Sequence, residues 1–103
     1  MSDAGDLLRA ALMVLDERGW CRMEFSSDYV DGPVCAVGAL NVASTGWPGT
    51  RREEDEEAFT ILDGLVWDKY DRGVIQFNDA IARDVDHVKS LLGYAAEQAD
   101  KAG

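Results

Sequence analysis

The side chains of this sequence that nucleophilic catalysis would need are Cys35, His87 and the pair Asn78-Asp79. A cysteine at a helix N-terminus can act as a thiolate, because the helix dipole lowers the pKa of the thiol. His87, the single histidine, would be the base, and Asn78 or Asp79 would orient it. The sequence has neither a histidine on a predicted strand nor a glycine-rich oxyanion loop to join these groups. We therefore predict no catalytic residue.

A metal site would need Cys21, Cys35, His87 and Asp79 as ligands. A structural zinc site requires about four nitrogen or sulfur ligands at characteristic spacings. Neither C-x-x-C nor H-x-x-x-H occurs in the sequence, so we predict no metal and no cofactor. Both cysteines are expected to be buried, reduced and inert, since free cysteine usually behaves as a small hydrophobic residue. Their spacing alone leaves a disulfide between them open.

A cleft around Trp20, Cys35, Asn78 and Asp79 is a further candidate site. Short amide and carboxylate side chains directly after Phe77 can bond nearby backbone amides and turn the chain before a last helix. They could instead line a small-ligand pocket together with Trp20. The structural role is favoured, and the cleft is the alternative.

The stretch TRREEDEEAF, residues 50–59, carries five consecutive carboxylates. Thr50 and Glu53 match the S/T-x-x-E capping box, which predicts a helix start. Acidic residues in a first turn interact favourably with the helix dipole, but five exceed what capping needs. The surplus serves solubility or forms a docking surface. Because aromatic residues dominate interface hot spots, the candidate partner-binding residues are Glu54, Asp55, Glu56, Glu57, Trp47 and Trp67.

Hydrophobic periodicity predicts a mainly helical single domain over residues 1–103, with about four helices. The predicted helices are Asp3–Arg18, Cys35–Ser44, Arg52–Tyr70 and Asp84–Lys101. Gly38 in the second helix should permit close approach of a neighbouring helix. A short irregular hairpin is predicted from Trp20–Phe25 and Tyr29–Cys35, and VIQFND, residues 74–79, is predicted to be extended and half buried.

Charge and hydropathy exclude several classes of function. The 103 residues carry 10 basic and 20 acidic side chains, a formal net charge of −10. This charge balance excludes the positively charged surface that direct binding of nucleic acid requires. The N-terminus lacks the pattern of a signal peptide, and no stretch approaches the roughly 18 apolar residues that cross a bilayer. We expect a cytoplasmic protein whose partners are basic or nucleic-acid-binding proteins.

Three short motifs occur in the order GWC (residues 19–21), VCAVGAL (34–40) and FND (77–79). With the helix that follows them, they resemble an uncharacterised domain-of-unknown-function family found in actinobacteria and their phages. The resemblance implies a compact, mainly helical fold and an origin in a phage or mobile element. It implies no activity, so no catalytic residue is carried over.

The leading hypothesis is a small acidic, non-enzymatic interaction protein that binds a host or cognate protein through an acidic and aromatic surface. One alternative is a small-ligand-binding protein or enzyme that uses the cleft at Trp20, Cys35 and Asn78. Another is a nucleic-acid mimic, which would need carboxylates arrayed in two rows. The oligomeric state is not predicted.

Overall fold

The computed structural model describes residues 2–102, and this part of the chain contains five helices. They are α1 (Asp3–Arg18), α2 (Ala36–Thr45), α3 (Glu56–Tyr70), α4 (Val74–Gln76) and α5 (Val85–Ala102). A 3₁₀ turn, Glu53–Asp55, precedes α3, and a π-helical turn, Phe77–Ile81, continues α4. The predicted mainly helical fold is confirmed. Across residues 2–102, every helix is too short or too polar to cross a membrane.

Helix α1 is central, because it packs against both α2 and α5. Its buried residues include Leu8, Ala11 and Leu15, which follow the helical spacing that the sequence predicted. The hydroxyl of Ser2 caps its start by accepting the Gly5 N–H at 3.0 Å. The start of α1 is joined to the last turns of α5 across the fold, since the Asp100 carboxylate accepts the Ser2 N–H at 3.0 Å.

Helix α2 is the most deeply buried helix, because seven of its ten residues are buried. Gly38 does permit a close approach, but the neighbour is the backbone of Phe25 and not another helix. A Cβ atom at Gly38 would collide with the Phe25 carbonyl oxygen. That carbonyl accepts the Cys35 N–H at 3.1 Å, so the loop cannot move away without losing a backbone hydrogen bond. Glycine is therefore required at position 38.

The segment VIQFND is helical, so the prediction of an extended segment was wrong. Val74, Phe77 and Asn78 are buried, a spacing of three and four residues that belongs to a helix and not to a strand. Asp63 of α3 fixes the start by accepting the Val74 N–H at 2.8 Å. The turn then widens, and the Ala82 N–H bonds the Phe77 carbonyl at 2.8 Å, five residues back.

The predicted irregular insertion between Trp20 and Cys35 is present, but its pairing is not that of a hairpin. Val34 forms a parallel bridge with Trp20 and an antiparallel bridge with Ser26. A hairpin needs successive antiparallel pairs, whereas Val34 lies between two separate stretches of chain. Side chains hold this insertion together: Arg18 Nε donates to the Gly32 carbonyl at 2.8 Å, and Ser26 Oγ donates to the Pro33 carbonyl at 2.7 Å.

The capping box proposed for Thr50 and Glu53 is not formed. The N-cap of the 3₁₀ turn is Arg52, which has no side-chain cap, and the Thr50 hydroxyl instead lies 3.3 Å from that of Thr45. Ser44 of α2 takes over the local role, because its Oγ accepts the Arg52 N–H at 2.9 Å. The start of α3 is thus anchored by tertiary contacts.

Two glycine-to-alanine substitutions distinguish the effect of close packing on stability from the effect of helix propensity. Gly38→Ala should lower the free energy of unfolding by more than about 2 kcal/mol, because its methyl group must displace the Phe25 backbone. Gly64→Ala in α3, where no atom lies within 4 Å of the added Cβ, should raise it by up to about 1 kcal/mol through helix propensity. Urea unfolding of both variants provides the measurement. Equal effects of the two substitutions would contradict the packing argument.

Candidate functional site

Asn78 joins the three sequence motifs through its buried side chain. Its Oδ1 accepts the indole N–H of Trp20 at 2.7 Å and the backbone N–H of Ala36 at 2.9 Å. Its Nδ2 donates to the Cys21 carbonyl at 3.1 Å and to Asp79 Oδ1 at 3.0 Å. Both acceptor positions and both donor hydrogens of the amide are therefore used, and Asn78 has no hydrogen-bonding capacity left for a ligand.

Asp79 and Cys35 extend the same network. Asp79 Oδ1 also accepts the N–H of Met23 at 2.8 Å, which holds Met23 in the left-handed region with φ of 73°. Cys35 is the N-cap of α2, and its Sγ accepts the Gly38 N–H at 3.2 Å. The predicted cleft residues do come together, and their hydrogen bonds serve the fold.

The two thiols are free, and their environment opposes ionisation. Burial raises the pKa of Cys35 to about 11, although hydrogen bonds from backbone amides of α2 act in the other direction. Burial also raises the pKa of Cys21. A thiol that stays protonated at neutral pH is a poor nucleophile, so the arrangement does not favour catalysis by Cys35.

His87 lies away from this network, at the start of α5. Its backbone N–H is capped by Asp84 Oδ1 at 2.9 Å, and Asp84 is the residue at which the sequence predicted the last helix to begin. Its Nε2 lies 3.1 Å from the hydroxyl of Tyr70 in α3, so the imidazole is hydrogen-bonded to Tyr70 and not to Cys35. Within residues 2–102 there is also no group of three or more metal-ligating side chains.

A groove crosses the surface above the Asn78 network. Two open depressions of about 300 and 240 Å³ share Phe25 and Ile75 as walls; we call the combined feature the Phe25/Ile75 groove. Cys35, Asn78 and Asp79 lie along its first part together with Met23, Glu24 and Tyr29. Its second part is bordered by Val37, Asn41, Gly49, Arg51, Glu56 and Phe59. The groove thus connects members of both predicted sites, the cleft and the acidic block.

Both predicted aromatic anchors are exposed, and one of them, Trp47, lies next to this groove. Trp47 is 45% exposed and packs edge-on against Tyr29, with ring centroids 5.4 Å apart. Trp67 is 50% exposed, and its indole lies beside Gly73, two residues before Ile75. Trp20, in contrast, is half buried and bonded to Asn78.

The acidic block divides into bound and exposed members. Glu56 forms a bidentate ion pair with Arg51, at 3.1 and 2.9 Å, and this hydrogen bonding lowers the pKa of Glu56. Asp55 accepts the Ser44 hydroxyl at 2.6 Å. Glu54 and Glu57 are also exposed, and Glu54 has only a loose ion pair with Arg52, at 3.9 Å, so these two are the least tightly held carboxylates of the predicted partner-binding set.

Sequence reasoning missed Phe25, Tyr29, Arg51 and Ile75 as groove residues. Phe25 and Tyr29 lie in the insertion whose pairing was predicted wrongly, so no face could be assigned to them. Ile75 lies in the segment that was predicted to be extended and half buried, so no face could be assigned to it either; it is 51% exposed. The helical spacing of Val74, Phe77 and Asn78 is the sequence signal that would have predicted Ile75 to lie on the exposed face.

The fold and the motif network define a small helical domain whose three motifs meet at one buried asparagine. The profile of a family of unknown function (DUF6197) matches residues 1–98, and the chain belongs to this family. Searches of curated proteins and of solved structures gave no match. The resemblance seen in the motifs is thereby confirmed at the level of the family.

Asn78 is expected to be essential for stability. Asn78→Ala leaves the Trp20 and Ala36 N–H groups without their buried acceptor, and should lower the free energy of unfolding by about 2–4 kcal/mol. Gln76→Ala, an exposed position on the preceding turn, is the control and should change it by less than about 0.5 kcal/mol. Chemical denaturation measures both. A loss below 1 kcal/mol for Asn78→Ala would argue against the network as a structural centre.

Thiol labelling tests the assignment of Cys35 as an inert cap. Because only the thiolate reacts and the pKa of Cys35 is raised to about 11, labelling of the native protein should be slow at pH 7 and accelerate with rising pH. Labelling of Cys35 in a Cys21→Ser variant, followed by mass spectrometry, isolates the one thiol. Rapid stoichiometric modification at pH 7 would restore the nucleophile hypothesis.

Proposed function

We propose that this chain is a small, non-enzymatic interaction protein that binds a partner protein at the Phe25/Ile75 groove. The observation that carries the proposal is the exposure of large apolar side chains around it. Ile75 is 51% exposed and Met23 79% exposed, and Trp47 packs beside the groove at Tyr29. Exposed apolar groups grouped around a concave surface are typical of interaction sites. The phage-related origin implied by the motifs stays a prediction.

The charge distribution favours a basic partner. Glu24 and Asp79 border one part of the groove, and the chain as a whole carries a net charge of −10. A partner segment with an apolar side chain flanked by lysine or arginine would match both the groove and its rim. A partner that itself binds nucleic acid has such a surface, in agreement with the expectation from composition.

The acidic block has a narrower role in this proposal than the sequence alone suggested. Asp55 and Glu56 are held by Ser44 and Arg51, so their removal would disturb the start of α3. Glu54 and Glu57 can attract a basic partner without a structural cost. We therefore assign them to electrostatic steering, which increases the rate of association more than the strength of the final contact.

Affinity capture from a lysate of the source organism tests the groove. Ile75→Glu should abolish retention of the partner, because it introduces a carboxylate on the apolar wall. Met13→Glu is the matched control, since Met13 is 57% exposed but lies on α1, away from the groove lining. Both variants should be as stable as the wild type to within about 0.5 kcal/mol. Retention by all three proteins, or by none, would contradict the proposal.

A second comparison, with the captured partner in purified form, separates steering from contact. Glu54→Gln combined with Glu57→Gln should slow association severalfold and weaken its salt dependence, while dissociation stays unchanged. Surface plasmon resonance at low and high salt gives both rates. An unchanged association rate would assign these two carboxylates to solubility alone.

A further inference from the structure

A second concave site lies between the C-terminal half of α3 and the N-terminal half of α5. Its volume is about 570 Å³, which falls within the range of about 300–1,000 Å³ typical of small-molecule sites. Its lining residues are entirely different from those of the Phe25/Ile75 groove. Leu65, Leu91 and Tyr94 provide the apolar walls. The site therefore has to be explained separately from the proposed protein-binding function.

The hydrogen bonds of His87 have a defined direction. The backbone N–H of Arg83 donates to His87 Nδ1 at 3.2 Å, so Nδ1 is an acceptor and the proton of the neutral ring is on Nε2. Nε2 lies 3.1 Å from the Tyr70 hydroxyl oxygen and must donate to it. Burial lowers the pKa of His87, and the nearby positive charges of Arg83 and Lys69 act in the same direction, against Asp84. The neutral ring is the form that this geometry requires.

Because His87 Nε2 donates to the Tyr70 oxygen, the Tyr70 hydroxyl is free to act as a donor itself. Its oxygen accepts the Nε2 proton, so its own hydrogen is available to an acceptor in the cavity that it lines. Phe77 holds the pair in place from below, with ring centroids 5.1 Å from Tyr70 and 5.0 Å from His87. A donor fixed in this way is prepared for a ligand, because little conformational freedom remains to be lost on binding.

The other polar groups of the cavity add to its donor character. Lys69 contributes a positive charge and Ser90 a hydroxyl. Asp68, an exposed residue, is also part of the wall, and its carboxylate offsets the charge of Lys69. Within a chain of net charge −10, a site whose charged lining is one lysine and one aspartate is less acidic than the protein as a whole, and the Tyr70 hydroxyl adds an oriented donor to it. It fits a ligand with an anionic acceptor.

We propose that this cavity binds a small carboxylic acid with an apolar or aromatic body. The Tyr70 hydroxyl donates to the carboxylate, and Lys69 pairs with its charge. The apolar part lies against Leu65 and Leu91, with Tyr94 at the rim. Ligands of this class would satisfy both the oriented donor and the hydrophobic wall.

Nuclear magnetic resonance titration of the full chain with 3-phenylpropionate at pH 7.5 tests the site. We expect saturable shifts of the Ser90, Leu91 and Tyr94 amides. Tyr70→Phe should weaken binding about tenfold, since a hydrogen bond to a charged acceptor is lost. Lys69→Gln, at an exposed position, should weaken it as well, because the positive charge that pairs with the carboxylate is lost.

Tyr94→Phe is the matched control, because it removes a tyrosine hydroxyl from the same cavity but leaves the hydrogen bond between His87 and Tyr70 intact. The affinity of this variant should equal that of the wild type. 3-Phenylpropylammonium, which keeps the apolar body and reverses the charge, should not bind. Three results would each overturn the proposal: shifts that do not saturate, equal binding of the ammonium compound, or a Tyr70→Phe variant that binds like Tyr94→Phe.

Discussion

The amide of Asn78 is the interaction on which the rest of this structure depends. It accepts from Trp20 and Ala36 and donates to Cys21 and Asp79, so one side chain connects the insertion, the start of α2 and the turn before α5. An aspartate at this position would lack the two donor hydrogens, and an aliphatic residue would leave buried backbone groups unpaired. The side chain of asparagine has the donors, acceptors and length that the site requires.

The groove inherits its shape from this network. The Phe25 carbonyl is bound by the Cys35 N–H and lies against Gly38, so the Phe25 wall cannot shift independently of α2. Ile75 is fixed from the other side, because the Val74 N–H before it is held by Asp63. The two walls are thus attached to different helices that meet at Asn78. Rigid walls of this kind favour recognition of a partner with little reorganisation of the groove.

The long helices could be predicted from the sequence because their apolar residues repeat over many turns. α1 has the predicted bounds, and α5 begins one residue after its predicted start, Asp84. The short segments could not be predicted in this way. Residues 74–79 were too few for their helical spacing to be distinguished from a buried strand. The insertion depends on contacts of Arg18 and Ser26 with distant carbonyl groups, and such contacts leave no periodic pattern.

The members of a candidate site could be predicted from the sequence only where the residues of the short motifs contact one another in the interior. Trp20, Cys35, Asn78 and Asp79 were identified together, and they do lie together. Their role depends on whether hydrogen bonds are free or used, which residue types alone do not reveal. The Tyr70–His87 pair was missed for a similar reason, since its meaning lies in the Arg83 N–H that fixes the tautomer.

Charge and apolar contact have different roles in the proposed binding mechanism. Salt screens exposed charges beyond about 10 Å at 0.1 M ionic strength, so Glu54 and Glu57 can guide a basic partner but contribute little to holding it. Contact strength must come from surface that loses water on binding, and the exposed faces of Ile75, Trp47 and Met23 are such surface. A partner selected by charge alone would bind any acidic domain. In the proposed mode of binding, specificity for this domain resides in the fit of an apolar side chain between Phe25 and Ile75, two residues whose chain segments are linked through the buried amide of Asn78.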